Sequence, residues 1–455
     1  MGQRAGAMQV GSTCMLRQNA SKSAVDERQY ILGISDCARA RQWQAGLGLF
    51  FSMRRMEVNP KVNSYNAALS CCHRGSQWQL AWEFFESMPS RMITPTVVSY
   101  NSTISSLGFG TYWAWALQIF RDMPSLGRVM PNVISYSALI SSCEKGAQWQ
   151  TALELWQEMP KKQIAPNLYT HNSTISSCEK ASEWQLALRI FGNLPTATIK
   201  PDVISCSAMM SACEKGGQWQ QSLKLLQMMQ LLNISPNAYS YSAGISSCEK
   251  GSQWQRACVL LEEAFLFADL LCHNGALSAL EKAALWATAL HLWHQMPDAR
   301  IVADVYSYSA VISSCEKGGE SRLALDVFQA MLRASITPNV VSYSALISSC
   351  EKGAQWQTAL ELWQEMPQKQ IAPNLYTHNS TISSCEKASE WQLALRIFGN
   401  LPTATIKPDV ISFSATISAC EKGGQWQPAL SLLQQWRAER PAAQLQVKNT
   451  VDDRR

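Results

Sequence analysis

The stretch VISYSALISSCEKGAQWQTALELWQEMPKKQIAPN, residues 133–167, decides the fold because it carries two helical patterns in succession. Its first half places Tyr136, Ile140 and Cys143 at the i, i+4 and i+7 positions of one helix face. Its second half repeats helical spacing from Trp149 onward. The stretch therefore predicts a helical hairpin with one apolar stripe on each helix.

The expected helix ends are also visible in this stretch. Ser135 is predicted to cap the first helix, and Gly146 is predicted to end it. Pro160 and Pro166 bracket a short connection after the second helix. One hairpin of this size cannot bury both stripes alone, so neighbouring hairpins must stack into a solenoid with a concave face.

The spacing of tryptophans shows that this hairpin recurs along the chain. Trp149, Trp184, Trp219 and Trp254 follow one another at intervals of 35 residues. Twelve units, numbered here repeats 1 to 12, start at Glu27, Val62, Val97, Val133, Leu168, Val203, Ala238, Leu270, Val305, Val340, Leu375 and Val410. Repeat 3 carries one extra residue, and repeat 7 is three residues short just after its second helix, where a loop is expected.

Part of the array is an internal duplication. Residues 131–205 and 338–412 differ only where Ile134 becomes Val341 and Lys161 becomes Gln368. A catalytic centre is rarely made by copying, because it needs one constellation of groups. A surface that meets a repetitive partner, by contrast, gains contacts with every copy.

Composition limits the remaining function classes. The 455 residues include 17 Trp, with 47% hydrophobic and 16% charged residues, which is enough apolar material for a continuous core. The net charge of +5 permits a polyanionic partner only through a local basic stripe. The most apolar segment, residues 257–272, contains three acidic residues and is too short to cross a bilayer, so no membrane partner is expected.

The cysteines and histidines are predicted to pack rather than to bind metal. Ten repeats carry Cys at the eleventh place, counted from the first residue of the repeat. The other two repeats have Leu107 and Leu280 there, and leucine cannot replace a metal ligand. His171 and His378 occupy a place where other repeats have Tyr or Phe. We therefore expect no metal, no cofactor, no catalytic residue and no enzymatic activity, and a reducing compartment.

The termini are predicted to differ from the array. Residues 1–26 contain spread basic residues, and no acidic residue precedes Asp26, which is typical of an organelle transit peptide or of an unstructured tail. The array is expected over residues 27–443 and a charged tail over 444–455. The protein is accordingly expected in an organelle, a chloroplast or a mitochondrion, with the chloroplast favoured.

Polar residues recur at fixed places outside the core stripes. The fifth place is Asn or Ser after repeat 1, which we interpret as an exposed concave position that reads a variable partner, or as polar filler. The Trp at the seventeenth place is predicted to pack between repeats rather than to stack on bases.

A basic residue recurs at the thirteenth place of the repeat. These residues would either contact successive phosphates of a nucleic-acid backbone or only complement the helix dipole. These basic residues are Arg39, Arg74, Lys145, Lys180, Lys215, Lys250, Lys282, Lys317, Lys352, Lys387 and Lys422, and the eight from Lys145 to Lys387 are the predicted phosphate contacts.

The repeat resembles the pentatricopeptide repeat family. The resemblance rests on V-x-[ST]-Y-[NS]-x-x-I at the start, an Ala-Leu pair in the second helix and Ile-x-Pro-[NDT] at the end. It spans residues 27 to about 443 and implies an all-α, right-handed α-solenoid of about twelve 35-residue helix-turn-helix repeats. Tetratricopeptide repeats, which usually have 34 residues, lack the Pro-Asn or Pro-Asp ending seen at Pro166-Asn167.

The resemblance also implies that single-stranded RNA lies along the concave groove with one base per repeat. In that family the fifth and last residues select the base, and the second residue packs between bases. Here the second place is apolar in most repeats, and Asn63 departs from that pattern.

By that pattern, each fifth residue pairs with the last residue of its own repeat. Uracil readers would be Asn172 with Asp202, Asn274 with Asp304 and Asn379 with Asp409. Adenine readers would be Ser137 with Asn167, Ser207 with Asn237, Ser309 with Asn339 and Ser344 with Asn374. Asn101 with Asn132 would read a pyrimidine and Ser242 with Asp269 a guanine, whereas Asn66 with Thr96 gives no clear preference. The expected order, 5′ to 3′, is pyrimidine-A-U-A-G-U-A-A-U.

Two functions of different classes remain open at this point. The first is an organellar protein that binds A/U-rich single-stranded RNA and affects its processing, stability or translation, together with possible protein partners. The second is a protein-binding scaffold of the tetratricopeptide kind. The restriction of the fifth and last places to Asn, Ser and Asp favours RNA.

Overall fold

The structure, a computed structural model, consists of helices joined by short turns. It describes residues 27–56, 58–125, 128–196, 199–264, 267–403 and 406–439. Within these ranges there are 24 helices and no strand. The transit peptide or tail predicted for residues 1–26 and the charged tail predicted for 444–455 lie outside the described residues. The chain divides into two compact units, the first ending at Gly216 and the second beginning at Gly217.

Helices of the first unit begin at the predicted repeat starts. Its first helices are Glu27–Arg39, Val62–Arg74, Val97–Phe109, Val133–Lys145, Leu168–Lys180 and Val203–Lys215. Its second helices are Trp43–Arg55, Trp78–Ser90, Trp113–Ser125, Trp149–Lys161 and Trp184–Thr196. The second unit begins with the second helix of repeat 6.

Helices of the second unit follow the same order. Its first helices are Ala238–Lys250, Leu270–Lys282, Val305–Gly318, Val340–Lys352, Leu375–Lys387 and Val410–Lys422. Its second helices are Trp219–Leu231, Trp254–Glu263, Trp286–Gln295, Ser321–Arg333, Trp356–Gln368, Trp391–Thr403 and Trp426–Glu439. The prediction of an all-α array of about twelve helical hairpins is confirmed.

The residue that caps each first helix differs from the prediction. Asn132, not Ser135, is the N-cap of the helix Val133–Lys145, and its side-chain oxygen accepts a hydrogen bond of 3.0 Å from the Ser135 backbone N–H. The Ser135 hydroxyl in turn lies 3.1 Å from the Asn132 backbone N–H and accepts from it. Both residues are cap formers three positions apart, and the one with extended backbone is Asn132. From repeat 3 onward, the last residue of a repeat caps the first helix of the next repeat in the same way, as Asn374 and Asp409 do.

Glycine at the fourteenth place is explained by packing between repeats. Gly146 follows the first helix as predicted, but the left-handed residue that turns the chain is Ala147, with φ of 55°. A Cβ on Gly146 would lie 2.5 Å from Cδ1 of Trp113, which belongs to the preceding repeat. Trp426, which has no following repeat in the described chain, is 66% exposed. The tryptophans therefore pack between repeats, as predicted.

The eleventh-place cysteines lie in the core. Cys143 and Cys350 have no solvent exposure. Burial raises the pKa of the Cys143 thiol to about 12 and that of Cys350 to about 11. Since the thiolate is the reactive form, both side chains behave as small apolar groups at neutral pH. The packing interpretation is confirmed. No cluster of three or more metal-ligating side chains is found among the residues that the structure describes.

The two irregular repeats absorb their length changes differently. The second helix of repeat 3, Trp113–Ser125, keeps 13 residues, so its extra residue falls in the connection that follows. The second helix of repeat 7, Trp254–Glu263, has only 10 residues. The expectation that this deletion lies after the helix was therefore wrong, because the helix itself is shortened. Across the described helices, none has both the length and the apolar character that a membrane span requires.

His171 and His378 are packed aromatics, as expected. Each is 1% exposed, and each ring stands edge-on to a tryptophan of the preceding repeat, at 5.5 Å between centroids for His378 and Trp363. The His378 Nδ1 lies 3.0 Å from the Asn374 carbonyl oxygen. Burial lowers the pKa of both imidazoles below the ordinary value, despite the backbone hydrogen bond that raises it.

These buried histidines predict a stability loss in mild acid. Their unfolded pKa is about 6.5 and their folded pKa is lower, so the unfolded chain binds more protons. The stabilisation is complete above about pH 6.5 and is lost as the pH falls through that value toward the folded pKa. His171→Phe combined with His378→Phe should reduce the difference between urea midpoints at pH 7.5 and pH 5. Because burial also lowers the pKa of His73, some dependence should remain. An unchanged difference would contradict this account.

Candidate nucleic-acid interface

Five places of each first helix share one face. At 100° per residue, the second, fifth, ninth, twelfth and thirteenth places fall within about 100° of one another. The last residue of the repeat joins them, because it caps the neighbouring first helix. We call this set of places the first-helix strip; it is described separately within each of the two units.

The second place exposes large apolar side chains. All of its apolar residues from repeat 3 onward are between 50% and 72% exposed, far more than the core stripes of the same helices. Exposed tyrosines are unusual in a helix whose other aromatic residues are buried. The set consists of Val98, Ile134, Tyr169, Ile204, Tyr239, Leu271, Tyr306, Val341, Tyr376 and Ile411.

The fifth place is much less exposed than predicted. Asn101, Ser137, Ser207, Ser309, Ser344 and Asn379 are buried, and Asn172, Ser242 and Asn274 are half-buried. The prediction of an exposed position was wrong because neighbouring first helices flank the short side chain. The fifth place lies on the same helix face as the exposed second place, three residues earlier.

Where the fifth residue is Asn and the last is Asp, the two side chains bond directly. Asn379 Nδ2 donates to Asp409 Oδ1 at 3.0 Å, while the Ser412 hydroxyl donates to Asn379 Oδ1 at 2.6 Å. Because only the amide nitrogen can donate to a carboxylate, this network fixes the orientation of the Asn379 amide. One amide hydrogen and one oxygen lone pair remain without a partner in the described part of the chain.

The same arrangement occurs at the other two Asn and Asp pairs. Asn172 Nδ2 donates to Asp202 at 3.2 Å, and Asn274 Nδ2 donates to Asp304 at 3.1 Å. Burial raises the pKa of the Asp409 carboxyl, but hydrogen bonds from the Ser412 backbone and hydroxyl and from Asn379 outweigh it and hold that pKa below its ordinary value. The carboxylate is therefore ionised at neutral pH and acts only as an acceptor.

Serine at the fifth place uses its hydrogen within the protein. The Ser137 hydroxyl donates to the Val133 carbonyl at 2.7 Å, and the Ser344 hydroxyl donates to the Val340 carbonyl at 2.6 Å. The Ser309 and Ser342 hydroxyls lie 2.8 Å apart. In the first two cases the hydroxyl oxygen keeps a lone pair for an outside donor, and the small side chain leaves more space than asparagine would.

The remaining pairs deviate from these two patterns. Asn101 is buried, and its Oδ1 has no hydrogen-bond partner among the described residues. Asp269 caps its helix through the Cys272 backbone N–H at 3.0 Å, but Cys272 has no hydroxyl to link it to Ser242. Asn66, for which no base preference was predicted, donates to the Thr96 hydroxyl at 3.3 Å and so repeats the Asn and Asp arrangement.

The thirteenth-place lysines form ion pairs with the preceding repeat. Lys352 Nζ lies 3.0 Å from Glu316 Oε1, and the Ser348 hydroxyl donates to the same oxygen at 2.8 Å. The lysine side chains in these pairs are 36–46% exposed and the glutamates 12–26%. Lys145 instead lies 3.9 Å above the Phe109 ring. The pairs are Lys180 with Glu144, Lys215 with Glu179, Lys282 with Glu249, Lys317 with Glu281, Lys352 with Glu316, Lys387 with Glu351 and Lys422 with Glu386.

Sequence reasoning missed the residues that join these groups. The serines at the third and ninth places and the glutamate at the twelfth place bond to the neighbouring repeat, as in Ser412 to Asn379 and Ser383 to Glu351. Their partners lie 29 to 36 residues away, about one repeat, so no local pattern reveals them. The available signal was their recurrence at fixed places outside the core stripes.

Comparison of the chain with known families agrees with this arrangement. The sequence profile of the PPR repeat family matches residues 60–108, 131–180, 201–250, 303–352 and 338–387, which together cover just over half of the chain. The chain belongs to the PPR repeat family. The resemblance inferred from the repeat pattern is thereby confirmed.

The solved structure of a PPR protein, PPR10 from maize, shares the fold. The crystal structure of the pentatricopeptide repeat protein PPR10 from maize is 20% identical, has a TM-score of 0.57 and covers 96% of this chain and 73% of that chain. PPR10 in complex with an 18-nt psaJ RNA element is 20% identical, with a TM-score of 0.47 and coverage of 95% and 78%. Yeast Rmd9p in complex with 16nt target RNA is 10% identical, with a TM-score of 0.41 and coverage of 90% and 97%. No curated protein matches the chain.

The cap geometry predicts different effects for two substitutions of Asp409. Asp409→Ala removes the helix cap and the partner of Asn379, and should lower the free energy of unfolding by about 0.5–2 kcal/mol. Asp409→Asn keeps a capping oxygen of the kind that Asn374 provides, and should cost much less. Urea denaturation of both variants measures the difference. Equal losses would show that the side-chain cap does not matter at this boundary.

Proposed function

We propose that this PPR protein binds single-stranded RNA sequence-selectively, with one base per repeat, and acts by occupying the RNA. The observation that carries this proposal is the exposed apolar residue at the second place, one per repeat, beside a partly satisfied polar pair. RNA bases have apolar faces and polar edges, and helical-repeat RNA readers use a few side chains per base. The first-helix strip offers both kinds of contact at intervals of one repeat.

Base preference follows from the polar groups that remain unpaired. The free amide hydrogen and oxygen of Asn379, Asn172 and Asn274 complement the adjoining acceptor and donor of a uracil edge. Serine at the fifth place offers an acceptor and more space, which suits the amino group and larger ring of adenine. We therefore assign uracil to these Asn and Asp repeats and adenine to the Ser and Asn repeats, which makes the preferred RNA A/U-rich.

The proposal extends to cellular role. We propose that the protein acts in an organelle, a chloroplast in preference to a mitochondrion, in the processing, stabilisation or translation of RNA. The support is the basic, acid-poor composition of residues 1–25. We propose no catalytic step, because most polar groups of the strip are engaged in helix caps, ion pairs and inter-repeat hydrogen bonds.

The lysines test whether the strip contacts the RNA backbone. If Lys352 and Lys387 exchange their glutamates for phosphates, Lys352→Gln with Lys387→Gln should weaken all RNAs about equally. The slope of log affinity against log salt should fall by about 1.4, at about 0.7 per phosphate. The matched variant, Glu316→Gln with Glu351→Gln, frees the same lysines and should not weaken binding. If the lysine variant leaves the slope unchanged, these lysines serve only the inter-repeat pairs.

Repeat 11 offers the sharpest test of base selection. Asn379→Ser with Asp409→Asn reproduces the Ser344 and Asn374 pair of repeat 10, so the fold has a natural precedent for it. The double variant should change the preference at one nucleotide from uracil to adenine, by about 1–2 kcal/mol, the size of one or two neutral hydrogen bonds. Affinity is compared on two RNAs that differ only at the ninth base of the expected site.

Two outcomes would count against repeat-by-repeat reading. In the first, the double variant keeps the uracil preference; in the second, the parent protein shows no preference at that base. Either result would favour a tetratricopeptide-like scaffold that holds a peptide against the same strip.

A further inference from the structure

Repeats 2 and 3 carry a set of aromatic residues that the other repeats lack. The set, called here the aromatic row, consists of Trp78 and Trp82 of repeat 2 and Tyr112 and Trp115 of repeat 3. Trp78 occupies the seventeenth place, which is Trp in nearly every repeat. Trp82, Tyr112 and Trp115 are each the only aromatic residue at their place, the twenty-first, sixteenth and nineteenth, among all twelve repeats. Packing of the hairpin therefore does not require these three rings.

The four rings form one continuous row at the surface of the first unit. The ring centroids of Trp78 and Tyr112 lie 4.1 Å apart, those of Tyr112 and Trp115 5.9 Å, and those of Trp115 and Trp82 5.2 Å. Trp115 is 47% exposed and Tyr112 is 40% exposed. The indole N–H groups of Trp82 and Trp115 have no hydrogen-bond partner among the described residues. The row thus offers apolar ring faces together with two unused hydrogen-bond donors.

The charged side chains beside the aromatic row are acidic. Glu86 follows Trp82 by one helical turn, and Asp122 follows Trp115 by two turns, so each carboxylate shares a helix face with a ring. The Gln118 amide donates to Asp122 Oδ1 at 3.1 Å, which leaves the second carboxylate oxygen for an outside donor.

The neighbouring pair of repeats shows that this charge pattern is specific to the row. Between the second helices of repeats 3 and 4, a groove is lined by two basic and two acidic side chains, which are Arg121, Lys162, Glu154 and Glu158. At the same places counted for repeats 2 and 3, the sequence has Glu86, Leu126, Gln118 and Asp122. Both basic residues are therefore replaced, and the charge that remains is negative.

We propose that the second helices of repeats 2 and 3 bind a proline-rich segment of a partner protein that carries basic residues next to its prolines. Such a segment forms a polyproline II helix, whose backbone carbonyls make no internal hydrogen bonds. Its rigid pyrrolidine rings pack on the aromatic row, as in other aromatic-lined sites for proline-rich peptides. The indole N–H groups of Trp82 and Trp115 donate to its carbonyls, and Glu86 and Asp122 pair with its arginine or lysine side chains.

The same observations disfavour RNA as the occupant of the aromatic row. The row lies on second helices and in the turn before one of them, whereas the first-helix strip lies on first helices. It occurs once and outside both copies of the duplicated block, although recognition of one base per repeat needs a contact in every repeat. Phosphates would also be repelled by the carboxylates of Glu86 and Asp122.

Synthetic peptides test the proposal with the full-length protein. The probe is a labelled peptide of eight prolines followed by two arginines, and its binding is measured by fluorescence anisotropy. One control peptide has two glutamates in place of the arginines, and the other has four Gly-Ser pairs in place of the prolines. The protein should bind the probe about tenfold more tightly than either control peptide, because each control lacks one of the two kinds of contact.

A variant with a natural precedent removes the two exposed rings. Tyr112→Gln with Trp115→Thr installs the residues that repeat 4 carries at these places, Gln148 and Thr151, so the hairpin is expected to fold. It should weaken binding of the probe about tenfold or more. The matched control is Trp426→Ala, which removes a tryptophan that is 66% exposed in the other unit and should leave binding unchanged. Thermal unfolding of each variant verifies that the fold is retained.

A second variant tests the acidic side chains separately from the rings. Glu86→Gln with Asp122→Asn keeps the aromatic row and removes both negative charges. The preference for the peptide with arginines over the peptide with glutamates should fall to about threefold or less, because the remaining contacts are to the prolines. Binding of the peptide with glutamates should not weaken.

Three results would overturn the proposal. The first is equal affinity for the probe and both control peptides, and the second is unchanged affinity for the probe after Tyr112→Gln with Trp115→Thr. The third is loss of affinity for the RNA CAUAGUAAU in that variant, which would assign the aromatic row to RNA. Binding of the probe by a parent protein that binds no RNA would support this proposal and overturn the proposed function.

Discussion

One side chain per repeat joins the hairpins to one another and shapes the candidate site. The last residue of a repeat caps the next first helix, as Asp409 does through the Ser412 backbone at 2.8 Å. The same carboxylate accepts from Asn379 in the preceding first helix. A helix start that would otherwise leave unpaired N–H groups is thus satisfied by the residue that also orients the fifth-place side chain. Stability and the geometry of the strip consequently depend on the same hydrogen bonds.

Because the last residue both caps a helix and orients the fifth-place side chain, its residue type alone does not indicate RNA binding. Capping alone favours Asn, Asp or Thr at the last place, and an amide donor at the fifth place favours a carboxylate next to it. The restriction of these places to a few polar residues therefore has a structural cause. The exposed apolar side chains at the second place have no such cause, because exposure of large apolar groups stabilises neither helix nor packing. Among the residues of the strip, these side chains are therefore the strongest indication of a binding surface.

The repeat period predicted the fold well because its signals are local. Helix starts, the glycine at the end of most first helices and the buried cysteines all follow from spacing within 35 residues. The N-cap was predicted at Ser135 but lies at Asn132. A reciprocal cap contains two cap-forming residues, and the sequence does not show which of them has extended backbone. The burial of Asn379 and the pairing of Lys352 with Glu316 could not be predicted, since both arise from contacts between repeats. Those contacts depend on how closely neighbouring first helices approach.

The internal duplication shows why such an array can be lengthened by copying. Residues 131–205 lie in the first unit and residues 338–412 in the second, yet both copies make the same bonds. Asn172 meets Asp202 at 3.2 Å in one copy, and Asn379 meets Asp409 at 3.0 Å in the other. Each repeat contacts only its neighbours, so a copied block brings its core, its caps and its strip residues together.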